Sequence, residues 1–162
     1  MQHSGSENLW CGDFPRHVYI HWPFCAQRCT YCEFVALIGQ AELMPGYGSM
    51  LKSEIKKFKH LVAQRDVRTI FWGGGTPSLC PLDIFSDVMS LFKSHDRDFV
   101  EATIETNPED INSESLAAWK ASGINRLSIG VQAFDDAILR RANRRHSADD
   151  AVEAVELAAG EF

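Results

Sequence analysis

Cys25-Ala26-Gln27-Arg28-Cys29-Thr30-Tyr31-Cys32 sets three thiols within eight residues, at the spacing C-x3-C-x2-C. Close thiolates on one loop read as a metal or cluster site rather than a disulfide framework. Soft sulfur donors suit zinc and iron–sulfur clusters alike. No fourth ligand is local, since Glu33 follows and Cys11 and Cys80 lie far off in the chain. A structural zinc closes with four ligands. A [4Fe–4S] cluster normally takes four thiolates, so three would leave one iron open to a small molecule. A zinc knuckle with a distant fourth ligand and a cluster with an open iron both fit this spacing. Cys11 and Cys80 read as bystanders, a tail thiol and a small buried apolar residue.

Three further features could do chemistry. Gly73-Gly74-Gly75-Thr76-Pro77-Ser78 follows an apolar run. Consecutive glycines let backbone N–H groups approach a ligand closely, or permit positive φ in a tight turn. Glu105 and Gln132 each close an apolar run, and Arg140 to His146 form a basic turn. Each has an ordinary alternative: a solvated carboxylate, a loop cap, a solvated basic turn.

The elements that must position these residues follow from periodicity. Val18 to Trp22 reads as a strand that Pro23 ends, because proline has no N–H for a ladder. Residues 33–45 read as an irregular connection, with Pro45-Gly46-Tyr47-Gly48 as turn material. A helix is expected next, with Leu51, Ile55, Phe58 and Leu61 or Val62 at helical spacing. Lys52, Lys56, Lys57 and Lys59 form its solvated face. Val67 to Trp72 is the second strand. A helix starting near Pro81 presents Phe85, Val88, Met89 and Phe92. Phe99 to Thr106 is the third strand, stopped by Asn107-Pro108. Asn112 or Ser113 caps a helix that turns Leu116 and Trp119 inward and stops at Gly123. Asn125 to Gln132 is the fourth strand, and Asp135 to Asn143 a short helical turn. Ser147 and Asp150 make a capping box for a last helix bearing Val152, Val155 and Ala159.

This succession of about four βα units predicts an α/β fold with a parallel sheet. In a parallel α/β barrel, ligands sit at the C-terminal strand ends. The cysteines, the glycines, Glu105 and Gln132 all fall there. Residues 1–17 read as a flexible polar lead and 18–162 as the core. The lead lacks the basic and apolar regions of a signal peptide. No apolar run approaches the roughly 20 residues of a membrane span. A net charge of −6 gives no basic field for nucleic acid. Unpaired, metal-competent cysteines fit a reducing, cytoplasmic setting.

Tyr19-Ile20-His21-Trp22-Pro23-Phe24-Cys25 through Cys32-Glu33-Phe34 resembles the cluster loop of the radical SAM superfamily. Within it, the stretch resembles the branch of oxygen-independent coproporphyrinogen III oxidases (HemN type) and heme chaperones (HemW type). The resemblance runs from residue 18 to about 160. It includes the glycine motif, Glu105-Thr106-Asn107-Pro108, Gly130-Val131-Gln132 and Arg144-Arg145-His146. It implies a partial parallel (β/α) barrel of the radical SAM type. It implies a [4Fe–4S] cluster on Cys25, Cys29 and Cys32, and S-adenosyl-L-methionine on the open iron. It assigns Tyr19, Gly74, Gly75, Thr76, Glu105, Gln132 and Arg144 to that cofactor, with Tyr31 near its adenine.

Phe34, where HemN-type proteins have another cysteine, favours the HemW-like branch, whose Asp-Phe-Asn is matched loosely by Glu33-Phe34-Val35. Ala142-Asn143 stand where the family has Leu-Gly. The HemW-type reading implies heme as a further ligand, with delivery to a respiratory enzyme. The HemN-type reading implies an electron donor and a 5′-deoxyadenosyl radical that removes hydrogen from a porphyrinogen propionate side chain. Family barrels have about six units and a C-terminal domain, so the chain is expected to be a C-terminally truncated fragment that self-associates through its open edge.

Overall fold

The computed structural model describes residues 16–58, 67–92 and 98–162. Most of the expected N-terminal lead, Cys11, Lys59, Leu61 and Val62 lie outside the described residues. Four parallel strands form one sheet: β1 (His17–Trp22), β4 (Thr69–Gly74), β5 (Glu101–Thr106) and β6 (Arg126–Ile129), in the order β1-β4-β5-β6. Each new strand adds beside the last, the order a parallel barrel requires. A second, two-stranded sheet pairs β2 (Phe24–Cys25) in parallel with β3 (Leu37–Ile38).

The helices are α1 (Met44–Lys57), α2 (Leu82–Ser90), α3 (Ser113–Ala121), α4 (Asp136–Arg141) and α5 (Ala148–Ala159). Side chains alternate across a strand, and the two sheet faces divide accordingly. Ile20, Trp22, Ile70, Trp72, Ala102 and Ile104 are buried in the core with Phe85, Val88, Met89, Leu116 and Trp119. Trp72 anchors this layer: its ring lies 4.6 Å from that of Phe85, and its indole N–H donates to Met89 Sδ at 3.1 Å. Tyr19, Phe71, Thr103 and Arg126 are register partners in one row of the opposite face. His21, Gly73, Glu105 and Ser128 fall two residues further towards the C-terminal strand ends, where the site lies.

Several boundaries differ from the sequence reading. Pro45-Gly46-Tyr47-Gly48 is the first turn of α1, not a loop. Proline is favoured in a first helical turn, and Gly48 lets α1 approach α2: a Cβ there would stand 2.6 Å from Ile84 Cγ2. Residues 33–45 are not wholly irregular. Leu37 and Ile38 pair with the cysteine-bearing strand, and Leu37 N–H donates to Pro23 O at 2.8 Å. β6 ends at Ile129 instead of Gln132. Val131 N–H bonds Ile129 O and Ala133 N–H bonds Val131 O, so consecutive three-residue turns replace the ladder, and Gln132 takes φ 66°. α5 buries Ala151, Ala154 and Ala158, while Val152, Val155 and Ala159 face outward. The small alanines lie where the helix meets the Pro108–Asp110 turn. Both expected caps form, Asn112 on α3 and the Ser147–Asp150 box on α5. Among the described residues no helix is long and apolar enough to cross a membrane.

Candidate functional site

The cysteine loop leaves the sheet at Pro23 and is closed at its base by the β2–β3 pair. Gly39 N–H adds a bond to Cys25 O at 3.3 Å. Inside the loop, Cys32 N–H donates to Cys29 O at 3.1 Å, a tight turn between the second and third thiols. Arg28 Nη1 donates to Cys32 O and Phe34 O at 3.3 and 3.2 Å, holding the exit. All three thiols are half-buried. Burial pushes the Cys25 thiol up, against the lowering effect of the Thr76 hydroxyl that donates to it at 3.3 Å.

The glycine segment lies directly against this loop. Gly75 N–H donates to Trp22 O and Thr76 N–H to Phe24 O, both at 2.8 Å. Gly74 N–H faces Glu105 Oε2 at 3.3 Å. These N–H groups are therefore spent within the chain, and the turn offers no row of free donors for an anion. Glycine is required by close approach. A Cβ on Gly75 would stand 2.8 Å from Cys25 Sγ, Phe24 O and Pro23 O. Gly74 also takes φ 126°, a backbone state that side chains disfavour.

From the other side, Arg144 Nη1 donates to Cys29 Sγ at 3.3 Å, while its Nη2 donates to Asn107 Oδ1 and Gly130 O at 2.6 and 2.7 Å. Its buried Nε has no hydrogen-bond partner among the described residues. Next to it, His146 Nε2 lies 3.0 Å from Val131 O and its Nδ1 3.1 Å from Glu109 Oε2. This ring is buried and fixes the turn that carries Gln132. Asp110 accepts from Ser78 Oγ at 2.6 Å, and burial raises its carboxyl above the ordinary range.

Between these segments a cavity of about 280 Å³ opens at the C-terminal strand ends. Cys25, Cys29, Tyr31, Cys32, Gly74, Gly75, Thr76, Glu105, Gln132 and Arg144 all line it. Tyr19 does not: it sits in the lower row of the open face, stacked on Phe71 at 6.0 Å, with its hydroxyl 3.3 Å from His21 Nδ1. Tyr19 is still near enough to Glu105 for that carboxylate to raise its phenol, after burial as the larger cause. Cys80 is remote in role: it is buried in the core, and burial pushes its thiol far up. Among the described residues no three His, Cys, Asp or Glu side chains are gathered tightly enough to hold one metal ion.

Sequence reasoning missed Asn107, the Glu109–Asp110 pair and Asn143. Asn107 was visible as half of a strand-stopping Asn-Pro and within the Glu105-Thr106-Asn107-Pro108 motif, with no role of its own. The Asn143 signal was its position just beyond a helix end, where asparagine tolerates the left-handed conformation. It takes φ 55° there.

A family model described as the radical SAM superfamily matches residues 19–161. The chain is 37% identical over 140 residues to the bovine (Bos taurus) protein "Radical S-adenosyl methionine domain-containing protein 1, mitochondrial", covering 85% of this chain and 32% of that one. It is 34% identical over 151 residues to "Heme chaperone HemW" of Haemophilus influenzae, covering 89% of this chain and 39% of the other. The solved structure of the radical SAM enzyme HemN, coproporphyrinogen III oxidase from Escherichia coli, superposes with a TM-score of 0.80 at 30% identity, over 91% of this chain and 35% of that one. The chain thus spans between about a third and two-fifths of the length of these relatives. With a matching family model over nearly its whole length, and a thiol loop, glycine turn and strand-end residues around one cavity, this chain belongs to the radical SAM superfamily.

Proposed function

We propose that Cys25, Cys29 and Cys32 carry a [4Fe–4S] cluster, that S-adenosylmethionine is seated beside it, and that the chain acts in heme delivery as a HemW-type heme chaperone. One observation carries the cofactor reading: three thiols, the glycine turn, Glu105, Gln132 and Arg144 all line a single cavity. The donor set fits the group. Three soft sulfurs, with no fourth thiol lining the cavity among the described residues, suit a cluster with one open iron. When bound, the reduced cluster supplies an electron to the sulfonium of S-adenosylmethionine.

The chain's own residues do the positioning. Glu105 holds the glycine turn through Gly74 N–H, and the turn presses on Cys25. Arg144 ties Cys29 to the strand ends through Asn107 and Gly130. Tyr31, half-exposed at the cavity edge, offers a ring face to a nucleobase. An electron donor is needed to reduce the cluster, and a cytoplasmic location suits free thiols. The heme role rests on the likeness to HemW, together with Phe34 in place of a further cysteine.

The likeness to HemN at a TM-score of 0.80 favours a second reading, an enzyme oxidising coproporphyrinogen III. Anaerobic reconstitution followed by iron, sulfide and zinc analysis tests the cluster. Stoichiometric zinc without iron would defeat it, as would a Cys29→Ala chain that keeps a full cluster. Heme binding without coproporphyrinogen turnover supports the chaperone. Turnover with release of 5′-deoxyadenosine supports the enzyme.

A further inference from the structure

Three consecutive carbonyls at the C-terminal end of α4, those of Arg141, Ala142 and Asn143, each accept a hydrogen bond from the cysteine loop. Thr30 Oγ1 donates to Arg141 O at 3.1 Å, Thr30 N–H to Ala142 O at 3.2 Å, and Gln27 Nε2 to Asn143 O at 2.7 Å. The last carbonyls of a helix have no partner within it, so the loop's donors satisfy acceptors that would otherwise need water. Asn143 answers in the other direction: its Nδ2 donates to Arg28 O at 2.7 Å. These contacts join segments more than a hundred residues apart, and they flank Cys29 on both sides. Arg144, the next residue, donates to the Cys29 sulfur itself.

We infer that Asn143 is a positioning residue that clamps the cysteine loop, holding Cys29 in place for cluster uptake; this rests on the cluster reading above. Two properties of asparagine meet here. It tolerates φ 55°, which a glycine would also allow. It also supplies a carboxamide N–H, which a glycine cannot. Beyond the short turn at Cys32 and the Arg28 bonds to Cys32 O and Phe34 O, the residues around Cys29 have no strand ladder of their own among the described residues. The clamp supplies from outside the order that a ligand loop otherwise lacks before the metal arrives.

Asn143→Gly isolates the side chain, because glycine keeps the left-handed backbone without strain. Asn112→Ala serves as a control, since it removes a cap on α3 and lowers stability without touching the loop. Two readouts are needed. In the metal-free chain, amide hydrogen exchange of Thr30 reports the clamp whether or not a cluster forms. In the reconstituted chain, the rate of iron loss to a chelator reports its effect on the cluster. Asn143→Gly is expected to speed both by about fivefold, the scale of one lost hydrogen bond, while Asn112→Ala leaves both near parental values. Parental exchange in Asn143→Gly, or equal acceleration in the Asn112→Ala control, would overturn the clamp. A parent chain that takes up no iron would defeat the cluster reading, and the exchange arm would still decide whether Asn143 holds the loop.

Discussion

Replacing Gly75 by alanine puts one methyl group into the tightest point of the site. Its carbon would stand 2.8 Å from Cys25 Sγ and from the carbonyl oxygens of Pro23 and Phe24. Carbon contacts are comfortable at about 3.5–4.0 Å, so the sulfur must retreat by roughly 0.7 Å or more. The oxygens cannot yield by a rotamer change, because both belong to backbone. The Phe24 oxygen accepts from Thr76 N–H, and Gly75 N–H is itself bonded to Trp22 O. Strain therefore falls on the β2 segment that carries Cys25. Overpacking of this kind costs about 1–3 kcal/mol, which for a chain of this size lowers Tm by roughly 4–8 °C at the midpoint of that range. Gly46→Ala is the matched control. A Cβ there meets nothing within 4 Å inside α1, so it should stabilise by up to about 1 kcal/mol through helix propensity. Thermal unfolding of both variants, with iron content after anaerobic reconstitution, is the assay. Gly75→Ala should lose both stability and iron while Gly46→Ala loses neither. A Gly75→Ala chain with parental Tm and parental iron would refute the close-approach argument.

Other perturbations have equally definite outcomes. Asn112→Ala removes a reciprocal cap with Ser115 and should cost about 1 kcal/mol in denaturant unfolding; no change would mean that the cap is not holding α3. Arg144→Lys cannot span Cys29 Sγ, Asn107 Oδ1 and Gly130 O with one ammonium, so it should destabilise by about 1–3 kcal/mol and weaken cluster retention; parental values on both counts would contradict the role given to the guanidinium. Asp110 has its carboxyl raised by burial, ahead of the lowering by Ser78. Its contribution to stability is therefore fully present below its ordinary value of 3.8 and is lost as pH rises through the raised folded value. Asp110→Asn keeps an acceptor for Ser78 and lacks that loss, so its stability relative to the parent should improve between about pH 3 and pH 7. A difference that stayed flat or shrank over that window would oppose the assignment.

Much of this site was legible as residue types at strand ends. Cys25, Gly74, Glu105 and Arg144 were marked by spacing, punctuation or resemblance, and Gly74 and Glu105 stand on strands whose pattern was readable. What was not legible is what depends on distant pairing. Leu37 and Ile38 are too short a run to signal a strand, and they pair only because the cysteine strand passes beside them. Gln132 lies beyond β6 because Val131 is drawn to His146, a contact across fifteen residues. On α5 it is Ala151, Ala154 and Ala158 that are buried and not the more apolar valines, because that side of the helix packs near the Pro108–Asp110 turn, a distant contact that local hydropathy does not show. Asn143 stood where the family has glycine, and nothing local shows that its carboxamide reaches Arg28.

The central claim is that three thiolates hold a cluster whose remaining iron is free to take S-adenosylmethionine. Its most direct test is the electron paramagnetic resonance spectrum of the anaerobically reconstituted, reduced chain, recorded with and without S-adenosylmethionine. The account predicts a [4Fe–4S] signal from about four irons per chain that shifts when the cofactor is added. A chain without such a signal, or one whose signal is identical in both samples, would contradict it.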